Sequence, residues 1–74
     1  MARKLPRLKS EEAIIVLNQH GFELVSQRGS HQKWHNFETG NQVIVPSHKG
    51  KLLPLGTLRS IIEGSGILEK EFHL

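Results

Sequence analysis

Two stretches of alternating character, Phe22–Arg28 and His31–Phe37, are separated by only Gly29 and Ser30. Strands joined by so short a link run antiparallel, because a parallel pair needs a crossover of a dozen or more residues. Glycine reaches positive φ at no steric cost, which suits the tight connection. The run Arg28-Gly29-Ser30-His31-Gln32-Lys33-Trp34 therefore organises the chain, joining a turn, an imidazole, positive charge and an aromatic ring. His31 opens the outgoing strand, so regular backbone holds its ring beside a flexible rim. That arrangement suits proton transfer on a phosphodiester; an ordinary surface histidine is the competing reading.

A turn over Glu38-Thr39-Gly40-Asn41 leads to a third strand, Gln42–Val45. Pro46 has no N–H to give to a ladder, so this strand belongs at a sheet edge or stops there. With Thr39 and Gly40 at the turn centre, Phe37 faces Gln42, Lys33 faces Pro46 and His31 faces His48. Trp34, Val43 and Val45 then share the face that meets the helices, and His31, Lys33 and His35 share the opposite face. A single bulge would undo this pairing. In the first strand, Phe22, Leu24 and Ser26 alternate with Glu23, Val25 and Gln27.

Helical patterns flank the strands. Ser10 offers an N-cap, with Glu11 and Glu12 in the first turn where carboxylates complement the helix dipole. Ala13, Ile14, Leu17 and His20 continue at spacings of three and four, Val16 widens the stripe, and Gly21 is a natural stop. After the polar loop Ser47–Lys51, Pro54 suits a first helical turn. Leu55, Leu58, Ile61 and Ile62 form the second stripe, and Gly64-Ser65-Gly66 ends it. Leu68 and Phe72 suggest a last short turn. The expected fold is α+β in the order α-β-β-β-α: a three-stranded antiparallel sheet with two helices on one face. Leu17, Trp34, Val43, Val45, Leu58 and Ile61 should be buried between the layers.

The chain of 74 residues is read as one domain, with residues 1–9 a basic arm prone to fray and 67–74 a tail. A domain this short buries only ~60% of its unfolded surface. Cysteine is absent, so neither a disulfide nor a Cys-based zinc site supplements the core. No apolar run approaches a membrane span and the start lacks a signal-peptide pattern, so a soluble, cytoplasmic protein is expected. Ten Lys and Arg against seven Asp and Glu give a net charge of +3. Arg3, Lys4, Arg7 and Lys9 crowd the N-terminus, while Arg28, Lys33, Lys49, Lys51 and Arg59 surround or follow the central stretch. Segregated basic charge suits a polyanion.

Five histidines raise the question of a metal. His31 and His35 share a strand face but lie ~13 Å apart at ~3.3 Å per residue, too far for one ion. His31 with His48 brings two nitrogens and no obvious third ligand, so no metal or other cofactor is expected. His20 reads as a helix-terminal histidine favoured by the dipole. Ser30 and His31 point to opposite faces, which argues against a nucleophile pair and leaves Ser30 as a turn residue or phosphate donor. Trp34 reads as core rather than a stacking platform. Lys49 and Lys51 are phosphate candidates, since they precede a helix whose first amides attract anions.

Four elements in order carry a resemblance to a known family: Gly21-Phe22 closing the first helix; Gly29-Ser30-His31 followed by the aromatic Trp34; Val45-Pro46 leading to His48; and Gly56-Thr57-Leu58-Arg59-Ser60-Ile61-Ile62 in the second helix. The chain resembles the HicA toxins, messenger-RNA interferases of HicA/HicB-type toxin–antitoxin pairs. It departs from them where Ser47 separates Pro46 from His48 and where Leu53-Pro54 replaces a charged helix start. The resemblance implies a double-stranded-RNA-binding-domain-like fold, a metal-independent endoribonuclease with His31 catalytic, and a HicB-like antitoxin partner that covers the site. His48 is then a candidate second acid or base. Arg28, Ser30, Lys33, Lys49, Lys51 and Arg59 are the RNA-binding candidates. Two other readings stay open: a non-catalytic RNA-binding module using the same basic surface, and a protein-interaction domain whose basic face docks an acidic partner.

Overall fold

The computed structural model describes residues 5–74. The elements are α1 (Ser10–Gln19), β1 (Phe22–Arg28), β2 (His31–Asn36), β3 (Gln42–Pro46) and α2 (Leu55–Ser65), closed by a 3₁₀ turn over Glu69–Phe72. The α-β-β-β-α order and the α+β class are those expected from the alternation. The sheet is open and antiparallel in the order β1-β2-β3, which puts the Pro46 strand at an edge. Trp34, Val43 and Val45 from the sheet join Ala13, Val16 and Leu17 of α1 and Leu58, Ile61 and Ile62 of α2 in one core. All six residues expected to be buried are buried.

The start of α1 differs from expectation. Ser10 lies inside the helix and Lys9 is its N-cap, in extended geometry. The cause is upstream: Leu8 is buried, its carbonyl accepts the Leu53 N–H at 2.7 Å, and Lys9 bridges to Leu52. These contacts hold residues 8 and 9 straight, so the helix begins immediately after them. Glu12 reaches back to the Lys9 N–H at 2.8 Å, satisfying a donor the helix leaves free. The Glu11 carboxyl is held below its usual range by its own backbone N–H first, then by the Ser10 hydroxyl. The Gly50 N–H adds to that effect. Residues 5–9 are therefore not a loose arm; the four residues before them lie outside the described part.

The β2–β3 hairpin is centred one residue earlier than expected. Asn36 and Asn41 close it, with Phe37–Gly40 between them: the Asn36 N–H donates to the Asn41 carbonyl (2.9 Å) and the Gly40 N–H to the Asn36 carbonyl (2.8 Å). The Asn36 side-chain oxygen also accepts the N–H groups of Glu38 (2.8 Å) and Thr39 (3.2 Å). That side-chain-driven turn ends β2 at Asn36 instead of Phe37 and moves every pair by two residues. His31 pairs with Pro46, Lys33 with Ile44, Trp34 with Val43 and His35 with Gln42. An even shift leaves each side chain on its expected face. It removes the expected pairing of His31 with His48.

The same two asparagines tie the hairpin to the helices. Asn36 Nδ2 donates to the His20 carbonyl (2.9 Å) and Asn41 Nδ2 to the Ser65 carbonyl (3.1 Å), both at helix C-termini, where carbonyls lack partners. Gly66 ends α2 at φ 73°, and a Cβ there would sit 2.8 Å from Asn41 Nδ2. Phe72, fully buried in the 3₁₀ turn, completes the core at this end, whereas Leu68 stays exposed. Truncating Leu58, fully buried in α2, to Ala should cost ~2–5 kcal/mol. Denaturant unfolding of Leu58→Ala should register that loss; a midpoint matching the parent's would reject this packing.

Candidate nucleic-acid interface

The first hairpin contains the feature on which the site depends. Pairing runs Phe22 with Asn36, Glu23 with His35 and Leu24 with Trp34, then resumes at Ser26 with Lys33, Gln27 with Gln32 and Arg28 with His31. Val25 is the extra residue of a β-bulge. A residue inserted in one strand reverses the faces of everything beyond it. Ser26 and Arg28 thereby turn onto the open face of the sheet, and Gln27 turns towards the helix side. Strict alternation had put Ser26 with Phe22 and Leu24, so the bulge corrects that assignment.

Gly29 and Ser30 form the two-residue connection. Gly29 has φ 59°, and no described non-glycine residue has positive φ. Positive φ at the first central position alone is the type II′ pattern, whose twist matches that of the strands. The ladder extends past the turn on its other side, where the Ser47 N–H donates to the Ser30 carbonyl at 2.6 Å. His31 is thus the first residue of the central strand, with Arg28 directly across on β1 and Pro46 on β3.

These pairings build a shallow groove lined by Ser26, Gln27, Arg28, His31, Lys33 and Ile44. Its charged side chains are all cationic, and His31 lies exposed among them. Behind it, on the helix side, runs a chain of side-chain hydrogen bonds. Trp34 Nε1 donates to Gln32 Oε1 (3.1 Å), Gln32 Nε2 to Gln27 Oε1 (3.3 Å), and Gln27 Nε2 to the Gly29 carbonyl (2.9 Å). The turn that carries His31 is in this way fastened to a buried indole.

The remaining predicted residues are distributed differently. Ser30 sits in the turn itself. His48, Lys49 and Lys51 are exposed on the loop that leaves the sheet at Ser47, with the Lys51 N–H closing onto the His48 carbonyl at 3.0 Å. His48 lies beyond the last ladder bond, not opposite His31, because the shifted register gives that place to Pro46. Arg59 lies on α2 and lines a separate depression with Leu5, Arg7 and Leu55. The structure brings together Arg28, His31 and Lys33; it adds Ser26, which strict alternation puts on the other face, and Ile44, which the shifted register brings opposite Lys33. Among the described residues, no three His, Cys, Asp or Glu side chains converge as metal ligands. His20 instead lies 3.9 Å from Glu71, and His73 3.3 Å from Glu69.

A family description, HicA toxin of bacterial toxin–antitoxin, matches residues 10–67. The chain belongs to the HicA toxin family. No curated protein matches it. The HicA match runs from the first residue of α1 past the end of α2, so it includes the bulged hairpin, the Gly29-Ser30 turn and the groove. Leu8 and Phe72, which close the core at either end, fall outside it. Membership brings a toxin role and an antitoxin partner. Among the described residues of this HicA chain, no helix is long and apolar enough to cross a membrane.

Gln32→Ala should release the turn from Trp34 and leave the indole N–H without its partner, at a cost of ~1–3 kcal/mol. Amide hydrogen exchange at Gly29, Ser30 and His31 should accelerate more than exchange in α2. Equal acceleration throughout would mean that the relay adds only global stability.

Proposed function

We propose that this HicA-family toxin is a metal-independent endoribonuclease that cuts messenger RNA, with His31 as its general acid or base. The observation that carries this reading is the groove: an exposed imidazole on rigid strand backbone, with a guanidinium directly across and an ammonium two residues along. RNA carries its own nucleophile. The 2′-oxygen attacks the adjacent phosphorus, the P–O5′ bond breaks, and the products are a 2′,3′-cyclic phosphate and a 5′-hydroxyl. Histidine can accept the 2′-hydroxyl proton or supply the proton taken up by the leaving 5′-oxygen. Arg28 and Lys33 steady the charge on the phosphoryl oxygens, and Arg28 can do so through two parallel N–H bonds. Ser26 and Ser30 offer hydroxyl donors at the rim. A HicB-like antitoxin neutralises the toxin by covering the groove.

Purified protein in EDTA should cut single-stranded RNA to 2′,3′-cyclic or 3′-phosphate ends and leave DNA, which lacks the 2′-hydroxyl, intact. His31→Ala should abolish cleavage and cellular toxicity while fold and RNA affinity persist, because an exposed strand residue contributes little packing. His48→Ala separates two forms of the mechanism. Retained activity leaves His31 as the lone acid–base group, and lost activity gives the 47–51 loop a second one. Cleavage that survives His31→Ala but stops in EDTA would reject the mechanism in favour of a metal, and binding without cleavage would make the chain an RNA-binding module.

Binding should weaken with salt as phosphate contacts through Lys33, Lys49 and Lys51 are screened, each contact contributing ~0.7 to the log–log slope for single strands. Replacing Lys49 and Lys51 together by Ala should flatten that slope by roughly twice this amount. An unchanged slope would move the second phosphate site to another basic surface, such as the Arg7 and Arg59 depression.

A further inference from the structure

The open face of the sheet continues beyond the cationic groove. One row past Lys33 and Ile44, the paired residues are Glu23 on β1, His35 on β2 and Gln42 on β3, all on the solvent side. His35 Nδ1 lies 3.3 Å from Gln42 Oε1. The Phe37 ring stands edge-on to the His35 ring, with centroids 4.5 Å apart at 64°, and is 66% exposed. None of these four residues belongs to the core. The face therefore changes character along β2, from an end carrying the cations Arg28 and Lys33 beside His31 to an aromatic end bordered by one carboxylate.

We propose that the Glu23–His35–Phe37–Gln42 end is a base-recognition subsite, which holds one unpaired nucleobase of an RNA strand whose scissile phosphate lies at His31. The inference rests on the ribonuclease reading and deepens it. Two features favour RNA as the occupant. The patch is continuous with the groove along a single strand, His35 standing ~13 Å from His31 at ~3.3 Å per residue, so a strand reaches one from the other within a few nucleotides. Its chemistry also complements that of the groove. Phosphates avoid Glu23 and favour Arg28 and Lys33, while the exposed Phe37 ring, braced edge-on by the half-buried His35, offers a stacking surface that any base can use.

Glu23 adds discrimination. An ionised carboxylate only accepts hydrogen bonds, so it selects a base edge that donates. Unpaired guanine presents two adjacent donors, N1–H and the exocyclic amino group, to the two carboxylate oxygens. Adenine and cytosine present the amino group alone, and uracil a single ring N–H. Gln42, reaching in from the opposite edge strand, can both donate and accept. The subsite thus favours guanine near the cut.

The test uses the full chain and short single-stranded oligoribonucleotides that differ at one position, G against A, C or U. Binding is measured by fluorescence anisotropy in the His31→Ala protein to prevent turnover, and cut sites in mixed-sequence RNA are mapped with the wild type. Guanine oligomers should bind tightest, and wild-type cuts should cluster near guanine. Adding Phe37→Ala should weaken binding of all sequences by roughly 5- to 150-fold, with the circular dichroism spectrum unchanged. Adding Glu23→Gln should erase the preference for guanine while leaving overall affinity within a few-fold. Wild type that cleaves RNA while neither substitution alters affinity, preference or cut sites would overturn the subsite and leave the ribonuclease reading intact. Wild type that neither binds nor cleaves RNA would overturn both. Substitutions that spare RNA binding but abolish neutralisation by the antitoxin would overturn the subsite by making this patch a protein-docking surface.

Discussion

A single inserted residue, Val25, determines which side chains share the open face of this sheet. In a strand with period two, the bulge reverses the orientation of everything between it and the turn. Without it, Arg28 would turn to the helix side of the sheet, away from His31, and Gln27 would take its place opposite His31 on the open face. With it, Arg28, Ser26, His31 and Lys33 collect on one side, while Gln27 and Gln32 meet on the other and fasten the turn to Trp34. The groove and its support therefore have a common origin. The bulge lies in an edge strand, where the extra residue disrupts only one ladder.

The second constraint is size. A chain without cysteine at this length must bury what apolar surface it has and leave few polar groups unpaired. It meets that demand at the ends of its elements. Asn36 and Asn41 each serve the hairpin and a helix C-terminus together, and no buried side-chain polar atom among the described residues lacks a partner. Leu8, Leu53 and Phe72 enter from the chain's periphery to close the core. The groove sits apart from these joints, on residues that lie outside the core.

How much of this was legible depends on which physical rule each feature obeys. Hydrophobic periodicity carries the element order, the two faces of β2 and β3 and the six core residues, because packing enforces periodicity. Hairpin register was read two residues off, since Asn36 closes its turn through side-chain bonds that the Thr39-Gly40 signal did not anticipate. That error was harmless for faces and decisive for His48, which it had brought opposite His31. Leu8 is hidden among basic residues, outside any periodic stretch, and the helical spacing of Leu68 and Phe72 signals a last short turn without saying that Phe72 alone is buried. The bulge had no signature at all: Val25 fits an alternating strand as well as its neighbours do. Charge alone marks Arg28 and Lys33 as candidates, whereas their meeting with His31 follows only from the three-dimensional pairing.

The openness of the groove bears on how hard such a site can work. One positioned acid–base group contributes ~10²–10⁴-fold to a rate. Cationic stabilisation adds most when water is excluded, because attraction between charges falls as the effective dielectric constant rises. His31 and Arg28 are solvent-exposed on the open face of the sheet, uncovered by any of the described residues. On the ribonuclease reading, the enzyme's own walls thus supply little of that exclusion, and the RNA laid across the face must supply the rest. Contacts remote from the scissile bond would then raise the rate as well as the affinity, since they seat the strand that displaces the water. An antitoxin gains from the same geometry: a face that needs covering to react is also one that a protein can cover first.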